Sequence, residues 1–407
     1  MQPPQPVHAG EPVTPEQPPL IDNAKDLNLL VKRCLDQEAV ALDTEFHGEK
    51  RYWPDLYLIQ ISAAGVSPVA VDPLAVPDLS PLAPLLESPD VVKIIHSARN
   101  DIGVILHHIP GVSIRNVFDT QIAAAFLGYG EQMSLANLVK SVCKAKPPKQ
   151  YSMSDWSARP LSPDQVLYAL DDVRYLPDMY GKLRAQLERR GRMQWFLDES
   201  HSLSDPEAYG VSMENLFRKT RSADKVKPQH HSLLFRLVNW RESLARSMNR
   251  PRQFIASDSL LCRIAILSPS SVDDLAVLRG LPGGFMEKYG SDLVLVSLED
   301  RKSPDPNTPT VKPPSQDWGR SARKDILRIF LKKKSAELKI SPTVLLPGDT
   351  FDVLLDNPPK SIEDLQARPG IPAWRKDALG EELVDLFNGR LGLVLSKSRG
   401  IRLVRLR

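Results

Sequence analysis

The spacing of apolar positions changes character several times along the first half of the chain. In "NAKDLNLLVKRCLDQ" (23–37) they recur every three or four residues, which predicts an amphipathic helix. Three strand patterns follow: "AVALDTEF" (39–46), "LYLIQIS" (56–62) and "PVAVDP" (68–73). A helix over about 80–87 leads to the strand "VVKIIH" and the helix "ARNDIGVILHH". Next come a short "RNVFD" strand, helices over about 119–127 and 134–142, and one long helix from about 163 to 190. Consecutive strands, then strands alternating with helices, predict an α/β domain with a mixed sheet.

From about residue 230 the pattern is helical only, and it repeats. "SVDDLAVLRGLPGGFMEKYGSDLVLV" (271–296) and "SIEDLQARPGIPAWRKDALGEELVDL" (361–386) align without a gap at an offset of 90 residues. Ser271/Ser361, Asp274/Asp364, Leu275/Leu365, Gly280/Gly370, Pro282/Pro372, Gly290/Gly380 and Leu293/Leu383 coincide. A repeat of this length predicts two copies of one helical module. Between them "SPDPNTPTVKPPSQ", with five prolines, reads as a stiff, extended linker. The first 20 residues hold seven prolines and no apolar stretch, so they read as a disordered arm and not a secretory signal. The expected segments are the arm (1–20), an α/β domain (21–205), two modules (225–300 and 319–390) around the linker (301–318), and a basic tail (391–407).

At 407 residues the chain is too long for one ordinary core, and its composition is that of a soluble globular protein. Cys34, Cys143 and Cys262 are scattered, which argues against a disulfide framework or thiolate zinc site and fits a reducing cytoplasm. No apolar run approaches the ~18 residues of a membrane span. The net charge of +3 conceals an asymmetry: residues 1–205 carry −7 and residues 206–407 carry +10. Carboxylate chemistry in one half and a polyanion grip in the other would produce that division. "NWRESLARSMNRPRQ", with Arg241, Arg246, Arg250 and Arg252, "RSARKDILRIFLKKK" and the tail "SKSRGIRLVRLR" are the basic runs such a grip would use.

The carboxylates form a pattern. Asp43 and Glu45 end an apolar strand and, two residues apart, project from the same face. Like charges held that close raise each other's pKa unless a positive charge lies between them. Asp101 falls in the first turns of the helix after a buried strand. Tyr168 and Asp172 are one helical turn apart on one face, whereas Asp171 points about 100° away. Asp43, Glu45, Asp101, then Tyr-x3-Asp, in that order, resembles the DEDD exonuclease superfamily, in the branch whose last motif carries Tyr. "DTEF…YWPDLYLIQIS", "VFDTQIAAAFLG" and "SMSDWSARPLS" narrow the resemblance to the ribonuclease D family, and the two helical repeats resemble its tandem HRDC modules.

This resemblance implies a multidomain protein: a ribonuclease H-like mixed-sheet exonuclease domain followed by two all-α HRDC bundles. It implies a cytoplasmic 3′→5′ exoribonuclease that shortens tRNA precursors and other structured RNAs with 3′ extensions, using two divalent cations, Mg²⁺ or Mn²⁺. Asp43, Glu45 and Asp172 would hold the first cation, Asp43 and Asp101 the second, and Tyr168 would orient the attacking water. Two hard cations clamped by carboxylates suit phosphodiester hydrolysis. Thr44, Phe46, His96, Asn100 and Arg159 are candidate substrate contacts. Core packing for Phe46, a structural hydrogen bond for His96, and helix capping by Ser154 or Ser162 are the alternatives in those segments. The pairs His107–His108 and His230–His231 lack ligand partners at metal spacing and read as surface or packing residues. No phosphate-binding or dinucleotide glycine motif is present, so no nucleotide cofactor is expected. Motif chemistry alone does not separate RNA from DNA, so a DNA 3′→5′ exonuclease is the rival enzyme; a non-catalytic RNA-binding scaffold is the rival class.

Overall fold

The computed structural model describes residues 18–146, 155–281, 283–309, 318–396 and 400–406. Nearly all of the proline-rich arm, Ser154, and the 310–317 part of the linker lie outside the described residues. The chain divides into two compact units. One comprises the described residues of 1–47, 56–208 and 317–407, the other those of 48–55 and 209–316.

The first unit is built on a six-stranded mixed sheet of β1 (Leu20–Ile21), β2 (Ala39–His47), β3 (Asp55–Ala63), β4 (Val66–Val71), β5 (Val92–Ile95) and β6 (Val117–Asp119), in the order β1-β4-β3-β2-β5-β6. β2, β5 and β6 run parallel, with Ala41 opposite Ile94 and Ile95 opposite Asp119, while β3 and β4 are antiparallel. The two-residue β1, which the sequence pattern misses, pairs with β4. The helices are α1 (Ala24–Leu35), α2 (Ala83–Glu87), α3 (Arg99–His108), α4 (Thr120–Phe126), α5 (Leu135–Val142), α6 (Pro163–Arg174), α7 (Leu176–Arg189) and α8 (Met193–Ser200). Asn23 caps α1 through its side chain, and Leu27, Leu30, Val31 and Cys34 form its buried face. The single long helix expected over 163–190 is two helices. Tyr175 ends α6, and Pro177, which has no N–H for the ladder, sits in the first turn of α7.

The second unit holds the first helical copy: α9 (Met213–Arg218), α10 (His231–Ser247), α11 (Arg252–Ile255), α12 (Asp258–Leu267) and α13 (Phe285–Lys302). Its core gathers Phe217, Leu234, Leu237, Val238, Leu261, Ile264, Leu275 and Leu293.

The second copy belongs to the first unit: α14 (Trp318–Leu338), α15 (Pro342–Leu345), α16 (Gly348–Asp356), α17 (Ile362–Ala367) and α18 (Ala373–Phe387). The sequence suggested a separate bundle here. Instead its core is continuous with that of the α/β domain: Phe126, Phe196, Leu327, Phe330, Trp374 and Leu383 lie in one cluster. Trp374, 2% exposed, stacks on Trp195 at 5.2 Å between ring centres and meets Phe126 edge-on at 4.9 Å. Arg375 donates to Glu199 at 3.0 Å. The expected basic tail is a hairpin, β7 (Leu391–Ser396) with β8 (Gly400–Arg405), whose Leu391 and Leu403 join the same core.

The repeat is visible in local geometry. Asp274 accepts from the Ser270 and Ser271 amides and Asp364 from the Lys360 amide, and the Ser271 and Ser361 hydroxyls accept from the Asp274 and Asp364 amides. Gly280 and Gly370 take φ of +72° and +74°, a left-handed turn that glycine enters without strain.

Candidate active site

Parallel pairing of β2 with β5 brings two strand ends to one sheet edge, where chains leaving the carboxyl ends of such strands form a crevice. β2 runs beyond its last β5 partner, so Asp43 and Glu45 lie past the β2–β5 pairing. The chain leaving β5 turns through Ser97 and enters α3, whose first turn carries the buried Asp101. α6 supplies the remaining wall. Ser162 caps it in a reciprocal box with Gln165, Pro163 starts it, and Val166, Ala169, Leu170 and Val173 bury one face. Val166, Ala169 and Leu170 pack with Leu58, Ala70, Trp156 and Leu161, which lays Tyr168 and Asp172 over β2.

The result is a convergence of carboxylates. Asp43, Glu45 and Asp172 each offer an oxygen, and the three atoms lie within 4.8 Å of one another. The Asp101 carboxylate is close enough to raise the pKa of both Asp43 and Glu45 and accepts a 2.5 Å hydrogen bond from the Thr44 hydroxyl. Burial, and then the neighbouring acids, hold Asp43 well above the usual carboxylate range and push Glu45 to about 8. Burial is also the main cause that lifts Asp101 to about 6 and Asp172 to about 7. The Tyr168 hydroxyl donates to Asp172, and burial beside three acids raises its pKa, so the phenol keeps its proton at neutral pH. Its ring stacks on Trp156 at 6.3 Å. A buried set of hard oxygen donors with unfavourable negative charge fits a divalent cation. Asp171 turns away to pair with Arg174 at 2.8 Å.

A curated relative, ribonuclease D of Granulibacter bethesdensis, is 34% identical over 92% of this chain and 94% of its own. The chain belongs to the ribonuclease D family. The ribonuclease D of Gluconacetobacter diazotrophicus is 35% identical over 94% of this chain and 96% of its own. Residues 18–188 match the 3′-5′ exonuclease family and residues 230–296 the HRDC domain. The crystal structure of Escherichia coli RNase D, described as an exoribonuclease involved in structured RNA processing, superposes with a TM-score of 0.80 at 27% identity. That superposition covers 92% of this chain and 99% of the other. As a member of the ribonuclease D family the protein is a metal-dependent 3′→5′ exoribonuclease.

The flanking residues named from sequence divide. Thr44 is buried and its hydroxyl serves Asp101, a side-chain role that the strand pattern did not suggest. Phe46 is half-buried on β2, and Asn100 is exposed on the first turn of α3. His96 makes the structural bond: its Nδ1 lies 2.8 Å from the Thr120 hydroxyl, and burial lowers its pKa. Arg159 is a correction. Its guanidinium chelates Asp72 at 2.7 and 2.8 Å and donates to the carbonyls of Tyr57, Trp156 and Ala158, which engages all of its donor nitrogens. It braces the loop before α6 and has no N–H left for a phosphate. One histidine of each pair holds backbone: His108 contacts the Val104 carbonyl and Leu56 amide, and His231 the Val226 carbonyl.

Three of the four arginines expected to grip RNA from the first module are paired with carboxylates of their own unit. Arg241, 3% exposed, pairs with Asp258 at 2.7 Å. Arg246 and Arg252 converge on the buried Glu242, together with the Tyr52 hydroxyl. Arg250 is exposed and its side chain has no partner among the described residues.

Proposed function

We propose that the enzyme removes nucleotides one at a time from RNA 3′ ends by two-metal hydrolysis, acting on tRNA precursors and other structured RNAs in the cytoplasm. The convergence of Asp43, Glu45 and Asp172 beside Asp101 and Tyr168 is the observation that carries this reading. Asp43, Glu45 and Asp172 would hold one cation, and Asp43 with Asp101 the other, either Mg²⁺ or Mn²⁺. When bound, such cations supply a water of lowered pKa and neutralise charge on the transferring phosphoryl group. The protein's own groups do the rest. Thr44 holds the Asp101 carboxylate by its hydroxyl. Tyr168 stays protonated and is suited to orient a water, not to take its proton. Phe46 and Asn100 flank the acids, where a terminal nucleotide would lie. The second helical copy acts as a second HRDC module, a reading supported by the matching Ser–Asp caps and left-handed glycines.

RNA preference over DNA is tested with matched 5′-labelled RNA and DNA oligonucleotides in Mg²⁺, with and without chelator. RNA shortened faster than DNA supports the substrate assignment. Equal or faster shortening of DNA contradicts it, and no shortening of either favours a binding protein.

A further inference from the structure

Asp119 closes β6 and is 4% exposed. Its carboxylate gathers four backbone N–H groups from two separate turns. Oδ1 accepts from the Gln121 and Ile122 amides at 2.7 and 3.3 Å, which caps α4. Oδ1 also accepts from the Ser97 amide at 3.1 Å, and Oδ2 from the Ala98 amide at 2.9 Å. Ser97 and Ala98 form the turn between β5 and α3. That turn has no cap of its own, because Ala98 stands at the N-cap of α3, and Ser97 is held at φ +61°. A carboxylate from the next strand supplies what the local sequence lacks. A second stitch lies beside it: the His96 ring meets the Thr120 hydroxyl, tying the residue before the turn to the residue after Asp119.

Asp101 follows Ala98 by three residues. We infer that Asp119 is a positioning residue for the metal centre, fixing the entry to α3 so that Asp101 can share a cation with Asp43. The inference rests on the reading of Asp101 as a metal ligand. It requires a carboxylate specifically, since both oxygens accept hydrogen bonds. In Asp119→Asn the remaining oxygen still caps α4, a position where Asn is as good as Asp. The amide NH₂ then faces the donor N–H of Ala98, and the α3 turn is released on that side.

The test is Mn²⁺ titration of the full-length chain, followed by calorimetry and by the EPR signal of free Mn²⁺, for wild type and Asp119→Asn. Thermal melting is recorded for both. Residues that orient ligands typically alter metal affinity about 10–100-fold. The expected result is a loss of that size for the weaker Mn²⁺ in a variant that still melts cooperatively. Its kcat should be reduced at limiting Mg²⁺ and restored at high Mg²⁺, with the KM for RNA unchanged. Wild-type Mn²⁺ affinity in Asp119→Asn overturns the inference. If that variant does not melt cooperatively, Asp119→Ser, which keeps a hydroxyl cap for α4, is judged by the same two outcomes. A wild-type chain that takes up no Mn²⁺ overturns the proposed metal site, and the positioning role with it.

Discussion

At the scale of single residues, the site is a concentration of buried carboxylates that raise one another's pKa. Glu45, Asp172 and Asp101, at about 8, 7 and 6, hold protons in the folded protein that an unfolded chain releases near pH 4. Between those limits the native state binds more protons than the unfolded one, so the stability of the metal-free protein falls as pH rises from about 4 toward 8. Mg²⁺ held by these acids, as proposed, would displace those protons and need the ionised carboxylates, so the Tm gain it causes should grow from pH 6 to pH 8. Melting curves in Mg²⁺ and in chelator across that range check this; a larger gain at pH 6 would contradict it. If the proposed role holds, with the hydroxyl positioning water and not acting as a ligand, Tyr168→Phe should lower kcat by ~10²–10⁴-fold and leave Mn²⁺ binding in place. A wild-type rate would mean that the ring only packs on Trp156. Much of this was legible from sequence. Period two puts Asp43 beside Glu45, and period 3.6 puts Tyr168 beside Asp172. The engagement of Arg159 was not, because its partner Asp72 lies 87 positions away and nothing local marks the pair.

At the scale of elements, hydrophobic periodicity located the strands and helices of the α/β domain apart from β1 and α8, and Pro177 explains the one helix that divides in two. Docking was invisible to it. An amphipathic helix shows that it has an apolar face but not which partner covers that face, so the second helical copy read as a free bundle. Trp374 shows the difference, since its ring lies against Trp195 and Phe126 of the α/β domain. Trp374→Ala should therefore cost about 3–5 kcal/mol, the usual range for a buried large aromatic. It should also lower the melting temperature of the α/β core together with that of the helices. A shift confined to the helices of the second copy, with the α/β core melting as in the wild type, would show that this copy folds apart from the α/β domain. For the same reason a chain cut near Asp205 leaves Phe126, Trp195 and Phe196 uncovered and is expected to be poorly folded. The repeated glycines also differ in use: a Cβ on Gly290 would come within 3.0 Å of Val272, whereas Gly380 breaks α18 at φ +52°.

At the scale of the whole molecule, the acidic first half and basic second half remain the broadest signal for a polyanionic substrate. The number of arginines overstates the grip, because Arg241, Arg246 and Arg252 face carboxylates within their own unit. Arg250 is the member of that run left exposed without a carboxylate partner among the described residues. Arg250→Ala should weaken RNA binding and make the slope of log K against log[salt] shallower by about 0.7 for a single-stranded contact. Arg241→Ala should instead destabilise the fold, by stranding Asp258. An unchanged salt slope in Arg250→Ala would remove that residue from the RNA surface. The central claim is that the converging acids make this chain a 3′→5′ exoribonuclease. It is tested most directly by following 5′-labelled RNA over time with wild type and Asp43→Asn in saturating Mg²⁺. The wild type should yield a ladder shortening by single nucleotides from the 3′ end. Asp43→Asn should leave the RNA intact while melting at or above the metal-free wild-type temperature, since one repelling charge is gone. A variant that shortens RNA at the wild-type rate would contradict the account.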